Sequence, residues 1–294
     1  MKIEIPGEYG GPRLRDGLVV VLFKRGAPVA WAPQVLAAFE FWLKATPDLA
    51  KAFACVGANS SEDKPVNART LGRCRAMLDA KKVKARKLTS FNVHGPQEIN
   101  PEFYFKAFLN TKPKRVNYLT MRFPSEWAED GGDALAEFIL DLADSVSFDS
   151  GYAGAALHWS VDAEMIGVRK DVPGLAFRHP GFDLQSFGMA VYSLGDDIWG
   201  AQWMTLLGPK VLQRVGGKHA VIGAVPDFSV QETSNGVVIR SPLPPRGGDT
   251  NRGDGVEELR ALAEFLEPVT TSTDESQFFW DRSDAERWYR RFLD

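Results

Sequence analysis

The chain has 294 residues, 44% hydrophobic content and a formal net charge of −3. That apolar content supports a sizeable core and excludes global disorder, and the slight acidity argues against a general nucleic-acid binder. Two cysteines, Cys55 and Cys74, are too few for a disulfide framework in a chain of this length and read as reduced thiols.

In chain order, the run 17–23 (GLVVVLF), between Asp16-Gly17 and Lys24-Arg25-Gly26, predicts a buried strand. Pro33 opens a helix with Val35, Leu36, Phe39 and Leu43 on its apolar face, and Thr46-Pro47 ends it. Residues 56–68 are polar and turn-rich, a surface loop. The basic stretch 69–87 interleaves Leu71, Met77 and Leu78 at helical spacing, which predicts one amphipathic helix with a solvated Lys/Arg face. EFYFKAFLN (102–110) and VNYLTMRFP (116–124) alternate about a short connection at 111–114, the pattern of a strand pair. A helix follows, with Asp133 as N-cap and Leu135, Phe138, Ile139, Leu142 and Ala143 facing the core.

YAGAALHWS (152–160) is a further strand, and Gly154 allows close backbone approach. Residues 199–217, WGAQWMTLLGPKVLQRVGG, read as a Trp-rich helical segment ended by a Gly pair. Short strands are expected at 219–225, 228–234 and 236–242, the last two joined through Ser234-Asn235-Gly236. PPRGGDTNRGDG (244–255) is a shaped turn. Two prolines fix φ, Gly247 and Gly248 permit left-handed backbone, and Asp249 and Asn251 close Asx-turns. Asp254 with Glu257 caps the next helix, which carries Leu259, Leu262, Ala263 and Leu266, and Ser283 with Glu286 caps the last, where Trp288 and Phe292 lie one turn apart.

Strands that arrive in adjacent pairs, with no phosphate-binding glycine loop, point away from a parallel doubly wound sheet. The expected class is α+β: two sheet-and-helix lobes with antiparallel hairpins, 1–160 and 161–294, packed as one body and forming a single domain over 1–294.

Enzyme chemistry finds little support. His158 with Asp162 and His179 with Asp183 share a spacing of four, but a strand and Pro180-Gly181 break the helix that would align them as ligands. Gly253, Asp254 and Arg260 contradict a calcium loop starting at Asp249. No nucleophile elbow is present, and Cys74 reads as a buried inert thiol, although Arg73 and Arg75 would lower its pKa. Trp42, Trp199, Trp203 and Trp288 read as core anchors on helices. We therefore expect no catalytic residue, no metal and no cofactor.

The Trp-containing segment with its Gly-Gly stop, the strand running into PPRGGDTNRGDG, and the helix leading to Glu267-Pro268-Val269 resemble the C-terminal half of the TsiV-type immunity proteins of type VI secretion. Looser likeness at 17–23, 102–109, 151–159 and 178–183 extends this over most of the chain. The resemblance implies a protein that neutralises a cognate antibacterial effector by stoichiometric occlusion. It also implies an effector with a restriction-endonuclease-like nuclease domain, of the toxin or the virus-type replication-repair nuclease type. A DNA-cleaving site has a positive rim, so acidic surface is the expected contact, with candidates Asp196, Asp197, Asp249, Asp274 and Glu275. The expected compartment is the cytoplasm, because no signal-peptide core or membrane-length apolar run is present. The partner is then the nuclease effector, with no direct nucleic-acid or membrane contact. The competing readings are an effector adaptor or chaperone and a metal-dependent hydrolase built on the dispersed histidines.

Overall fold

Two strands open the chain, β1 (Glu4–Pro6) and β2 (Pro12–Lys24), in the computed structural model, which describes residues 2–7, 11–46, 51–57, 63–95, 100–112, 115–159, 168–184, 194–271 and 282–293. There follow α1 (Pro28–Ala45), β3 (Phe53–Val56), β4 (Lys64–Pro65), α2 (Ala68–Met77), α3 (Ala80–Ala85), β5 (Leu88–His94), β6 (Tyr104–Asn110) and β7 (Asn117–Phe123). A 3₁₀ segment at Ser125–Gly132 leads into α4 (Asp133–Ser145), β8 (Ser150–Trp159), α5 (Val168–Arg178) and β9 (Asp183–Leu184). The last third holds β10 (Met204–Leu207), α6 (Pro209–Arg214), α7 (Gly217–Ala224), β11 (Ser229–Thr233), β12 (Gly236–Arg240), α8 (Arg260–Leu266) and α9 (Arg282–Tyr289).

The strands form one sheet in the order β11-β12-β10-β8-β2-β7-β6-β5-β3-β4, with β1 alongside β2 and β9 alongside β8. Every pairing is antiparallel except β8 with β9. The α+β class and the antiparallel hairpins agree with the sequence reading, whereas the division into lobes gives way to one sheet, because β10, β12 and β11 continue it directly from β8. The apolar run of β2 is uninterrupted because both of its faces are buried. Leu18, Val20 and Leu22 enter a core with α1 to α4, and Val19, Val21 and Phe23 enter a second with α5 and α9. A third core lies under α6, α7 and α8.

Several local expectations need correction. α1 starts at Pro28, where the missing N–H costs nothing, so Pro33 lies inside it. The basic stretch is two helices, because the Asp79 carboxylate accepts from Lys81 N and Lys82 N and starts α3 afresh. Met204–Leu207 is a strand, so Trp199 and Trp203 are buried off any helix, while Trp42 and Trp288 do lie on helices. Residues 219–225 are not a strand: 217–224 form α7, which buries Val221 and leaves both Ile222 and Gly223 exposed, two outward neighbours in a row that break the alternation of a strand. Asp133 is the first helical residue after a left-handed Gly132, and Ser283 lies inside α9. Asp254 caps nothing, since a 3₁₀ turn at Glu257–Leu259 precedes α8 and the Asp254 carboxylate pairs with Arg246.

Candidate functional site

The turn 244–255 is held by elements far away in sequence. Gly248 has the left-handed φ of 69° that the sequence suggests, but Gly247 does not need positive φ. Gly247 is required because its backbone lies on the Phe182 ring, where a Cβ would stand 2.3 Å from Cε2. Gly181 N donates to Gly247 O at 2.9 Å, and His179 Nδ1 donates to the Gly248 carbonyl. Asp249 N donates to Asp254 O, and Asp254 N returns to Asp249 O at 3.1 Å, which closes the tip.

Asp249 is buried, and Arg178 grips it with both ends of its guanidinium, Nε to Oδ1 at 2.9 Å and Nη2 to Oδ2 at 2.8 Å. Asn251 N adds a third bond at 3.1 Å, the expected Asx-turn. The Arg178 hydrogen bonds hold the Asp249 carboxyl down at about 2, below its ordinary 3.8, against the opposing effect of burial. A depressed carboxylate contributes stability that is complete above its unfolded value and lost as pH falls through the folded one. Asp249→Asn should therefore melt below wild type at neutral pH, with the gap closing between pH 3.8 and about 2, as thermal unfolding across that range would record.

Beside this turn stands an acidic ridge that sequence reasoning passed over. Asp130, Gly131 and Gly132 take φ of 55°, 82° and 74°, which swings Glu129 and Asp130 outward and starts α4. Along α4, Asp133, Glu137, Asp141 and Asp144 recur at helical spacing on the solvent face, opposite Leu135, Phe138, Ile139 and Leu142. Asp133 pairs with Arg240, and Asp144 accepts from Ser234 N at 2.7 Å. Glu129, Asp130, Glu137 and Asp141 form no hydrogen bond or ion pair with any described residue. The signal that could have found the ridge is an absence: no Lys or Arg occurs between Arg122 and Arg169.

Turn and ridge abut at Gly132, where a Cβ would lie 3.0 Å from Pro245 and 3.1 Å from Trp203. Between them opens a cleft of about 480 Å³ with Asp16, Glu126, Glu129 and Asp254 on its walls beside Arg246 and Arg252. Burial raises the Asp16 carboxyl above its ordinary range, and the bond from Ile3 N only partly opposes this.

The other predicted residues fall elsewhere. Asp196 and Asp197 sit beside two guanidiniums: Arg25 lies 3.4 Å from Asp196 Oδ1, and Arg214 bonds Asp197 Oδ1 at 2.8 Å. The Asp196 side chain remains 88% exposed, so of the two it is the more available to a partner. Asp274, Glu275 and Asp162 lie outside the described residues. His158 donates to Leu18 O at 3.2 Å. His179 bonds the Gly248 carbonyl while Asp183 accepts from Tyr152 and Trp199 at 2.7 and 3.0 Å, so this second pair spaced by four is held apart by other partners. Among the described residues no group of three or more His, Cys, Asp and Glu is placed to hold a metal ion. Burial outweighs Arg73 and Arg75 at Cys74 and pushes its thiol up to about 12, which corrects the expected lowering and keeps the thiol inert. No helix among the described residues is long and apolar enough to cross a membrane.

Among the described residues the geometry thus offers shaped, charged surface and no catalytic constellation. A family model described as TsiV, type VI immunity for VRR-NUC, matches residues 60–292. The chain belongs to the TsiV family. It is an immunity protein of type VI secretion directed at a VRR-NUC nuclease effector, in a family that is non-enzymatic. The matched span takes in both the ridge and the turn. Among solved structures, this TsiV chain is similar to the Pseudomonas aeruginosa T6SS protein PA0821, with 18% identity and a TM-score of 0.77 over 98% of this chain and 87% of that one. At that identity the likeness concerns the fold. No curated protein matches the sequence.

Proposed function

We propose that this TsiV protein neutralises its nuclease by occlusion, with the acidic ridge from Glu126 to Asp144 and the adjoining turn 244–255 laid against the basic surface that receives DNA. The observation that carries this reading is the set Glu129 and Asp130, at the kink before α4, and Glu137 and Asp141, on α4, which pair with no described residue. Carboxylates facing solvent steer a basic partner into place. Asp249 shapes the turn from within, Asp196 and Asp197 supply a second acidic point beyond it, and Asp274 with Glu275 form a third acidic pair in the sequence. The chain works as one domain over 1–294, in the cytoplasm where DNA is the target, and contacts neither nucleic acid nor membrane itself.

Glu137→Lys with Asp141→Lys should slow association with the purified nuclease about tenfold or more and blunt the dependence of the on-rate on salt. Asp196→Lys with Asp197→Lys should have a smaller effect, since Arg25 and Arg214 already offset those charges. The readouts are association rates and DNA cleavage in the same mixtures. Binding without suppression of cleavage would favour an adaptor that carries the effector, and ridge reversal without any kinetic effect would remove this face from the interface.

A further inference from the structure

The cleft between turn and ridge contains a carboxylate that the fold engages on one side only. Asp16, near the start of β2, is 8% exposed. Its Oδ1 accepts from Ile3 N at 2.8 Å. Its Oδ2 accepts from no other described residue, and it is not one of the polar atoms that the fold seals from solvent. The open side of the carboxylate is therefore the side that lines the cleft.

The walls around Asp16 select the charge of an occupant. Carboxylates outnumber cations there, and all three cations already have acids beside them. Arg246 pairs with Asp254 and with Glu258 at 2.9 Å, Arg252 lies 3.5 Å from Asp249, and Lys2 lies 3.8 Å from Glu126. Lys2 acts on Asp16 through its charge without forming an ion pair with it. Leu18, Ala155, Phe182 and Pro245 supply apolar wall. Apolar walls around a lone acid suit a long side chain with an aliphatic stem and a charged head. A metal ion would need several donors gathered at one point, and no such group occurs among the described residues. Burying a carboxylate without a cation costs the free protein stability, and a cation brought by a partner offsets that cost.

We propose that this cleft receives one lysine or arginine side chain of the nuclease effector, with Asp16 as the carboxylate that takes up its charge. The proposal rests on the reading that ridge and turn face the effector directly, since the cleft lies between them. A surface that receives DNA is rich in such side chains. The ridge and the cleft then have different tasks. Exposed charges act on how fast a complex forms, whereas a desolvated ion pair acts on how long it lasts.

The test uses the full chain and the purified effector, with association and dissociation rates read separately. Asp16→Asn keeps an acceptor for Ile3 N and removes the charge. It should melt no lower than wild type at neutral pH and release the effector about tenfold or more faster, with little change in association. Lys2→Met leaves β2 untouched and removes the cation that competes for Asp16, so it should slow release about threefold. If wild type fails to bind the effector at all, the direct-binding reading falls, and this proposal with it. If wild type binds and Asp16→Asn releases the effector at the wild-type rate, or only associates more slowly, this proposal alone is overturned. Should Asp16→Asn melt well below wild type, Lys2→Met decides, and release no slower than that of wild type overturns the proposal.

Discussion

Gly247→Val should cost about 3 kcal/mol or more and disable the turn that borders the acidic ridge. The cause is contact and not backbone conformation: the new Cβ would fall 2.3 to 2.7 Å from three atoms of the Phe182 ring, which is itself buried. The ring cannot retreat freely, because it belongs to the second core and sits 5.8 Å from the His179 ring. Gly248→Ala acts differently, through a left-handed φ of 69°, and should cost about 1–2 kcal/mol. Two measurements separate these causes. Phe182→Ala in the same chain should recover part of the Gly247→Val loss, and it should leave the Gly248→Ala loss additive. Full additivity of Phe182→Ala with Gly247→Val in thermal unfolding would contradict the packing account.

The second large effect is expected at Asp183, where one buried carboxyl group joins β8 to the segment before β10. It accepts from Tyr152 Oη at 2.7 Å and from Trp199 Nε1 at 3.0 Å. Asp183→Leu strips two buried donors of their acceptor and should cost about 2–4 kcal/mol. Burial raises the Asp183 carboxyl to about 6, and the two donors and the Arg291 charge only partly oppose it. A carboxyl with a raised folded value binds its proton more tightly in the native state, so stability is greatest below the unfolded value of 3.8 and declines as pH rises to about 6. Asp183→Asn keeps an acceptor and cannot titrate. It should be less stable than wild type at about pH 4 and should close or reverse that gap at about pH 8. Parallel stability curves for wild type and Asp183→Asn would refute the assignment. The slope is opposite to that expected from Asp249, so the two residues can be told apart in one pH series.

The parts of the fold legible in the sequence are those where pattern and burial coincide. The apolar run of β2, the alternation in β6 and β7, the turn at Ser234-Asn235-Gly236 and the stripe of α4 each declare themselves locally. Short apolar stretches do not. Met204–Leu207 is buried between β8 and β12 and so shows no alternation, while 219–225 is apolar yet buries one side only. Periodicity cannot separate a strand from a helix at such lengths. The family was legible because its motifs gather where the molecule is most constrained: Trp203 and Pro245 both pack on Gly132. The site was legible only in outline. Composition marked the turn, but nothing local reveals that Arg178 takes up the Asp249 carboxylate, and the ridge acids look like any solvated helix face until the whole segment is seen to lack cations.

The place of β2 at the middle of the sheet also bears on when protection begins. Val20 lies opposite Met121 on one side and Ala153 on the other, so the strand made almost first must wait for partners made much later. Long closures of this kind slow folding and leave an apolar strand uncovered in the nascent chain. A ribosome that has not passed residue 159 has produced no usable inhibitor. Resistance is therefore expected to track the standing pool of folded protein more closely than the rate of new translation, which survival of challenged cells with translation blocked would check.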